Sequence, residues 1–172
     1  MSTEERRESD TGEKKDKAEA IIAEIQGRIT KAFDIFDHEN NKTVDVREVG
    51  TIVRSLNCCP TEAELHDILT EMEEDEPTGY VKFEKFLPVM TTILMDRRYK
   101  PQPEDILLKA FQTLDTENQG FLTSDELQKY MMKEGEPFTQ DEMEEMLSAA
   151  QDPDKGTVQY KDFVGLMAVE ES

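Results

Sequence analysis

Cysteine is nearly absent from this sequence: among 172 residues only the neighbours Cys58 and Cys59 carry a thiol. Adjacent residues rarely reach disulfide geometry, which excludes a disulfide scaffold and predicts a reduced, intracellular protein. Metal binding or redox sensing by the pair has no support elsewhere in the chain. Positive charge is also scarce. Lys and Arg total 20 against 40 Asp and Glu, a formal net charge of −20. Part of that charge serves only to solvate the fold. The rest repels nucleic acid and anionic membranes and favours cations or basic partner segments.

Other absences narrow the field further. No apolar run approaches a membrane-spanning length, no secretory signal pattern occurs, and Ser2 is not an N-myristoylation acceptor, so no membrane association is expected. The two histidines, His38 and His66, have no nucleophile paired with them, and no Gly-rich phosphate-cradling loop is present. An enzyme is therefore not expected. Hydrophobic residues make up 36% and charged residues 35%. That balance predicts a lean core and helices with wide wet faces, within one domain or two small lobes.

What is present begins at Asp37–Glu48. Oxygen-bearing side chains fall at loop positions 1, 3, 5, 9 and 12: Asp37, Glu39, Asn41, Asp45 and Glu48. With the backbone carbonyl of Thr43 at position 7, this spacing suits Ca2+, which takes six to eight oxygens. Ile22, Ile25, Ile29, Phe33 and Phe36 precede the loop at helical spacing, and Val49, Ile52, Val53 and Leu56 follow it. Helix, twelve-residue oxygen loop, helix is an EF-hand rather than a plain Asp/Asn-rich turn. Position 6 calls for positive φ and therefore Gly, yet Lys42 stands there, and Glu39 is longer than the usual Asp. Metal affinity is expected to suffer.

Three further loops repeat the pattern. The second, Glu74–Lys85, keeps Gly79 at position 6 and Val81 at position 8, but Lys82 and Lys85 stand at positions 9 and 12. An ammonium group in place of the bidentate carboxylate repels the ion, so no Ca2+ site is expected there. The third, Asp115–Glu126, offers Asp115, Glu117, Gln119, the Phe121 carbonyl, Thr123 and Glu126 at positions 1, 3, 5, 7, 9 and 12, with Gly120 at position 6. Positions 3 and 5 are over-long and Gln119 is uncharged. The fourth, Gln151–Asp162, keeps Gly156 and Val158 but has Gln151, Pro153 and Lys155 at positions 1, 3 and 5. A register starting at Asp152 improves the acids and misplaces Val158, so this loop too is expected to be dead. Loop starts at 37, 74, 115 and 151 give spacings of 37, 41 and 36, the period of a repeat. EF-hands pair through position 8, so a dead loop still serves as scaffold.

The chain divides accordingly. Residues 1–17 are polar and expected to be a disordered tail or frayed helix. Residues 18–95 form one EF-hand pair and 104–172 the other. Residues 96–103, with Pro101 and Pro103, form the linker, because prolines so spaced cannot continue a helix. Asn57 suits a left-handed helix end, and Thr61 with Glu64, and Thr139 with Glu142, predict capping boxes. The fold class is all-α: four EF-hands in two lobes joined by a Pro-containing linker.

Pro60-Thr61-Glu62-Ala63-Glu64-Leu65 and Glu144-Glu145-Met146-Leu147 resemble calmodulin, whose layout is similar over roughly residues 20 to 170. Val44–Glu48, Cys58–Glu62, Phe83–Thr91 and Gly135–Phe138 are similar to calmodulin-like EF-hand subunits of the nexin–dynein regulatory complex. That resemblance implies a cytoskeletal subunit in the axoneme of motile cilia and flagella, where the complex links doublet microtubules and regulates dynein-driven sliding. The partner it implies is a basic amphipathic, IQ-type helix of another subunit of the complex. Ca2+ is expected to be held weakly if at all, with dissociation constants of roughly 10 μM or more, at loops one and three. The main reading is a largely Ca2+-independent assembly subunit; the alternative is a Ca2+ switch acting through those two loops. Met90, Met95, Met131, Met132, Met143, Met146 and Met167 fall on or near the predicted apolar faces, partly as core and partly as an adaptable binding surface.

Overall fold

The computed structural model describes residues 3–168, with side chains over 14–168. Within the described residues eight α-helices follow one another, interrupted by four very short strands and a 3-10 turn at Val46–Glu48. Helix α1 spans Thr3–Phe36, β1 Thr43–Asp45, α2 Val49–Ser55, α3 Glu62–Met72, β2 Tyr80–Lys82 and α4 Phe83–Met95. The second half repeats the order with α5 Glu104–Leu114, β3 Leu122–Thr123, α6 Ser124–Met131, α7 Gln140–Ala150, β4 Thr157–Val158 and α8 Tyr160–Met167. Contacts divide the chain between Lys100 and Pro101.

Each half joins two helix–loop–helix hands through an antiparallel ribbon. In the first, β1 pairs with β2 so that Val44 faces Val81; in the second, β3 pairs with β4 so that Leu122 faces Val158. These four are the position-8 residues, and all are almost wholly buried. The register of all four loops, including the two without usable ligands, is thus the one the spacing predicts.

Local capping follows the sequence. Thr61 and Glu64 form a capping box at α3, and Thr139 and Glu142 form one at α7. Asn57 has φ of 62° after α2, the left-handed geometry that its short polar side chain tolerates. Gly50 on α2 lets α3 approach closely, since a Cβ there would meet Leu65 Cδ2 at 3.0 Å.

Two features depart from expectation. The stretch 1–17 is read as a disordered tail or frayed helix; residues 1 and 2 lie outside the described residues, and from Thr3 onward the backbone is helical as part of α1. Glu, Lys and Arg are good helix formers without any apolar stripe, and pairs such as Lys15–Glu19 one turn apart add support. The linker is also shorter than 96–103. Arg98 N donates to Ile93 O, Cys59 N donates to Tyr99 O at 2.6 Å, and the half-buried Tyr99 packs on the first core. Helix α4, by contrast, runs on through Pro88 as its apolar pattern over residues 82–95 predicts. Pro88 and Glu84 are both exposed, so water can satisfy the Glu84 carbonyl that Pro88 leaves without a donor.

The two cores differ in closure. The first buries Ile29, Phe33, Ile52, Met72, Phe86, Met90 and Ile93 almost completely. The second has nine buried residues and as many half-buried apolar ones around them, among them Leu107, Leu108, Met131, Met132, Phe138, Met146 and Met167. The methionines therefore sort by place: Met72, Met90 and Met143 are core, whereas Met131, Met132, Met146 and Met167 stay partly open and Met95 is exposed.

Candidate functional site

Loop one is held in shape by its own first residue. Asp37, 5% exposed, accepts from Asn41 N at 3.1 Å on Oδ1 and from Lys42 N at 2.9 Å on Oδ2. To present that N–H, Lys42 adopts φ of 62°, the conformation Gly79 and Gly120 reach without a side chain at the same loop position. Its ammonium turns away from the loop to Asp34 at 2.8 Å and lies 5.4 Å from the Phe83 ring centroid. The Asp34 hydrogen bond holds the Lys42 amine above its usual range, against a smaller opposing effect of desolvation.

The remaining loop-one ligands are engaged with one another or with basic groups. Asn41 Nδ2 donates to Glu39 Oε2 at 3.1 Å, and Asn41 Oδ1 accepts from Thr43 N and the Thr43 hydroxyl. Asp45 accepts from Arg47 N and from the Arg47 guanidinium, which pulls its carboxyl down to about 2. His38 Nε2 lies 3.6 Å from Glu48 Oε1. The spacing of the ligands revealed none of these partners, although Arg47, two residues after Asp45, was a visible competitor.

Loop three is tied more tightly. Asp115, 4% exposed, accepts from Gln119 N at 3.0 Å, from Gly120 N at 2.8 Å and from the Tyr160 hydroxyl at 2.8 Å. Burial pushes its carboxyl up, but the backbone N–H groups of Gln119, Gly120 and Asn118 together with the Tyr160 hydroxyl outweigh that and hold it below the ordinary range. Gln119 donates to Glu117. Glu126 closes a capping box with Thr123 at the start of α6, accepting Thr123 N at 2.9 Å. The Thr-x-x-Glu spacing of that box was legible, and it gives a local role to two residues read only as ligands.

Loops two and four, where no Ca2+ site is expected, carry contacts of their own. In loop two, Lys82 Nζ lies 3.2 Å from Glu74 Oε1. In loop four, Asp152 Oδ1 accepts from Asp154 N and Lys155 N, while Gln151 Nε2 donates to the Gly156 carbonyl. Asp152 thus performs the turn-closing task of Asp37 one position later, while Val158 keeps its pairing place.

The predicted ligands fit a hard cation in kind, since loops one and three gather carboxylate, amide and carbonyl oxygens along twelve residues. They do not fit it in arrangement. Asp45 is held by Arg47, Glu126 caps α6, and no group of three His, Cys, Asp or Glu among the described residues is placed to hold a metal ion. The arrangement supplies instead hands paired through short ribbons and, in the second half, a shell of half-buried apolar side chains. On α7, Met146 and Leu147 lie half-buried beside the exposed Glu142, Glu144 and Glu145.

Comparisons with known proteins agree with this architecture. The EF-hand domain pair family matches residues 104–168. Dynein regulatory complex protein 8 of Mus musculus is 63% identical over 154 residues, which span 90% of this chain and 94% of that protein. The Homo sapiens protein of the same name is 65% identical over 116 residues, 67% of this chain; the match spans 43% of its length, less than half. Among solved structures, the Physarum polycephalum myosin II regulatory domain aligns with a TM-score of 0.65 at 28% identity, covering 84% of this chain and 94% of that one.

Proposed function

This chain belongs to the calmodulin-like EF-hand family of dynein regulatory complex protein 8, and from that premise we propose that it is a non-enzymatic helix-binding subunit of the nexin–dynein regulatory complex in the ciliary axoneme. It holds a basic amphipathic helix of another subunit without needing Ca2+. The observation that carries this reading is the number of apolar side chains that stay half-buried around the second core, among them Leu107, Leu108, Met131, Met132, Met146 and Met167, with exposed carboxylates on α7. An amphipathic helix read through anchors at helical spacing matches such side chains, and unbranched methionine adapts to differing anchors. A net charge of −20 selects basic helices over acidic ones.

The first unit supports the scaffold part of the proposal. Met72 and Met90 are sealed in its core, and Glu74 of loop two already has Lys82 as a protein cation. Any residual, weak Ca2+ affinity is assigned to Asp37, Glu39, Asn41, Thr43, Asp45 and Glu48 and to the corresponding loop-three set. The proposed boundary between independently folding units is Lys100–Pro101.

Titration of a basic amphipathic helical peptide, in chelator and in millimolar Ca2+, at low and at high salt, tests the reading. Binding of similar strength with and without Ca2+ is expected, with the association rate falling as salt shortens the screening length. A strict Ca2+ requirement would place the protein among the switches. Absence of binding in every condition removes the groove.

A further inference from the structure

Arginine occurs only before residue 100, and the last two, Arg97 and Arg98, stand in the run Asp96-Arg97-Arg98-Tyr99-Lys100, which holds three cations against one carboxylate. Elsewhere in the first unit Arg47 pairs with Asp45 at 2.7 Å and Arg54 with Glu62 at 2.9 Å. Arg28, Arg97 and Arg98 are exposed, and no carboxylate among the described residues lies within ion-pair distance of them. Carboxylates outnumber cations 40 to 20 in this chain, so three guanidinium groups without one are an exception.

All three stand around one turn. Tyr99 packs half-buried on the first core, and its carbonyl accepts from Cys59 N at 2.6 Å. The Arg98 guanidinium lies 4.8 Å from the Tyr99 ring centroid and donates to the Tyr99 hydroxyl. Burial and then Cys59 push the Cys58 thiol up while the charge of Arg28 works against them, which brings Arg28 within electrostatic reach of the same turn. Arg97 and Tyr99 have φ of 52° and 55°, a conformation that residues with a Cβ rarely adopt. Such strain persists where neighbours over-determine it. Here Arg97 N donates to Leu94 O at 3.2 Å, Arg98 N donates to Ile93 O at 3.0 Å, and Cys59 N holds the far end. Two arginines after the C-terminus of α4 also suit the helix dipole. Arg28, in the body of α1, gains nothing from that.

We propose that Arg28, Arg97 and Arg98, set around the docked Tyr99, form a binding surface for a short carboxylate-rich segment of a protein partner. A guanidinium takes a carboxylate through two parallel N–H donors, and the Arg98 group, already held on a ring, has less freedom to lose on binding. The charge pattern sets the size of the occupant. At physiological ionic strength fields fade over about 8 Å, so a short acidic segment meets the arginines alone. An extended polyanion such as a nucleic-acid duplex or an anionic bilayer also meets the surplus carboxylates of a chain with net charge −20. The surface belongs to the first unit and prefers the opposite charge to the helix-binding region proposed for the second. A subunit carrying both would join an acidic partner to a basic one, and either reading can fail without the other.

The experiment is fluorescence anisotropy of a labelled peptide of about eight glutamates flanked by glycines, titrated with the full chain in chelator at low and at high salt. Binding at low salt that weakens as salt rises is expected, and none for the same peptide with glutamine in place of glutamate. Arg97→Gln should weaken binding by up to about fivefold, the scale of one exposed ion pair, and the triple variant Arg28→Gln, Arg97→Gln, Arg98→Gln by about tenfold or more. Arg97→Lys should keep more of the binding than Arg97→Gln. The Arg97 side chain has no bond among the described residues, so its variants change charge without disturbing the Tyr99 turn and should keep the wild-type thermal midpoint. Lys161→Gln removes an equal charge from an exposed position of the second unit and should leave binding unchanged. No binding of the glutamate peptide at low salt would overturn the proposal. So would equal losses in Arg97→Gln and Lys161→Gln, or wild-type affinity in the triple variant. Tighter binding of a short DNA duplex or of phosphatidylserine vesicles than of the peptide would overturn it in favour of a phosphate-bearing partner.

Discussion

Lys82 Nζ and Glu74 Oε1 are 3.2 Å apart, at the ninth and first positions of the same loop. Glu74 Oε1 has no hydrogen-bond partner of good geometry among the described residues, so the ammonium charge is what balances it. Lys82→Gln should therefore destabilise the first unit, although by less than about 1 kcal/mol, because both side chains keep substantial solvent access. Denaturant midpoints at low and high salt check this. The difference between variant and wild type should shrink as salt rises, and a salt-independent difference would point to packing instead.

Lys42 offers a second test. Its φ of 62° is strained for any residue with a Cβ, while its ammonium gains only exposed partners. Lys42→Gly should raise the thermal midpoint by a few degrees if backbone relief exceeds the added chain entropy of glycine and the lost Asp34 contact. It should also tighten Ca2+ at loop one. A lower midpoint with unchanged metal affinity would show that the Asp34 and Phe83 contacts of Lys42 outweigh the strain.

The Asp115–Tyr160 bond has a pH signature at both ends. The carboxyl of Asp115 is held below its ordinary value of 3.8, so its contribution is present above that value and disappears as pH falls through the folded one. Tyr160 is held above its ordinary value of 10.0, first by the Asp115 hydrogen bond and then by burial. Its contribution is present below 10.0 and disappears as pH rises through the folded value. In chelator, the stability gap between wild type and Tyr160→Phe should be widest between those limits and close towards both. A gap that stays constant with pH would show that the hydroxyl does not bond Asp115 in solution.

The adjacent thiols should behave differently from each other. Cys58 is buried, and burial, reinforced by the neighbouring Cys59, pushes its thiol up to about 11. Cys59 is exposed. Alkylation near neutral pH should modify Cys59 in the folded protein and reach Cys58 only on unfolding. Equal rates at both positions, read by mass spectrometry of the labelled peptides, would mean that Tyr99 does not hold this segment against the first core.

Loop register, the position-8 pairs Val44–Val81 and Leu122–Val158, the left-handed Asn57 and the capping boxes at Thr61 and Thr139 were all legible in the sequence. Each depends on residues a few positions apart or on a repeat that fixes which loops must pair. The sequence also places lysine at positions 9 and 12 of loop two and glutamine, proline and lysine at positions 1, 3 and 5 of loop four, since ligand chemistry is a matter of residue type at a given place. Tertiary structure decided where the surviving carboxylates go. Asp115 and Tyr160 are 45 residues apart, and their bond exists only because the stacking of Phe111 and Tyr160 brings α8 against α5. Packing likewise decided that Tyr99 docks rather than links, and that Met72, Met90 and Met143 are sealed while Met131, Met132, Met146 and Met167 stay half-open. Periodicity marks a side chain as apolar and assigns it to a helix face. How deeply that face is covered depends on the elements that meet it, and no single helix encodes that.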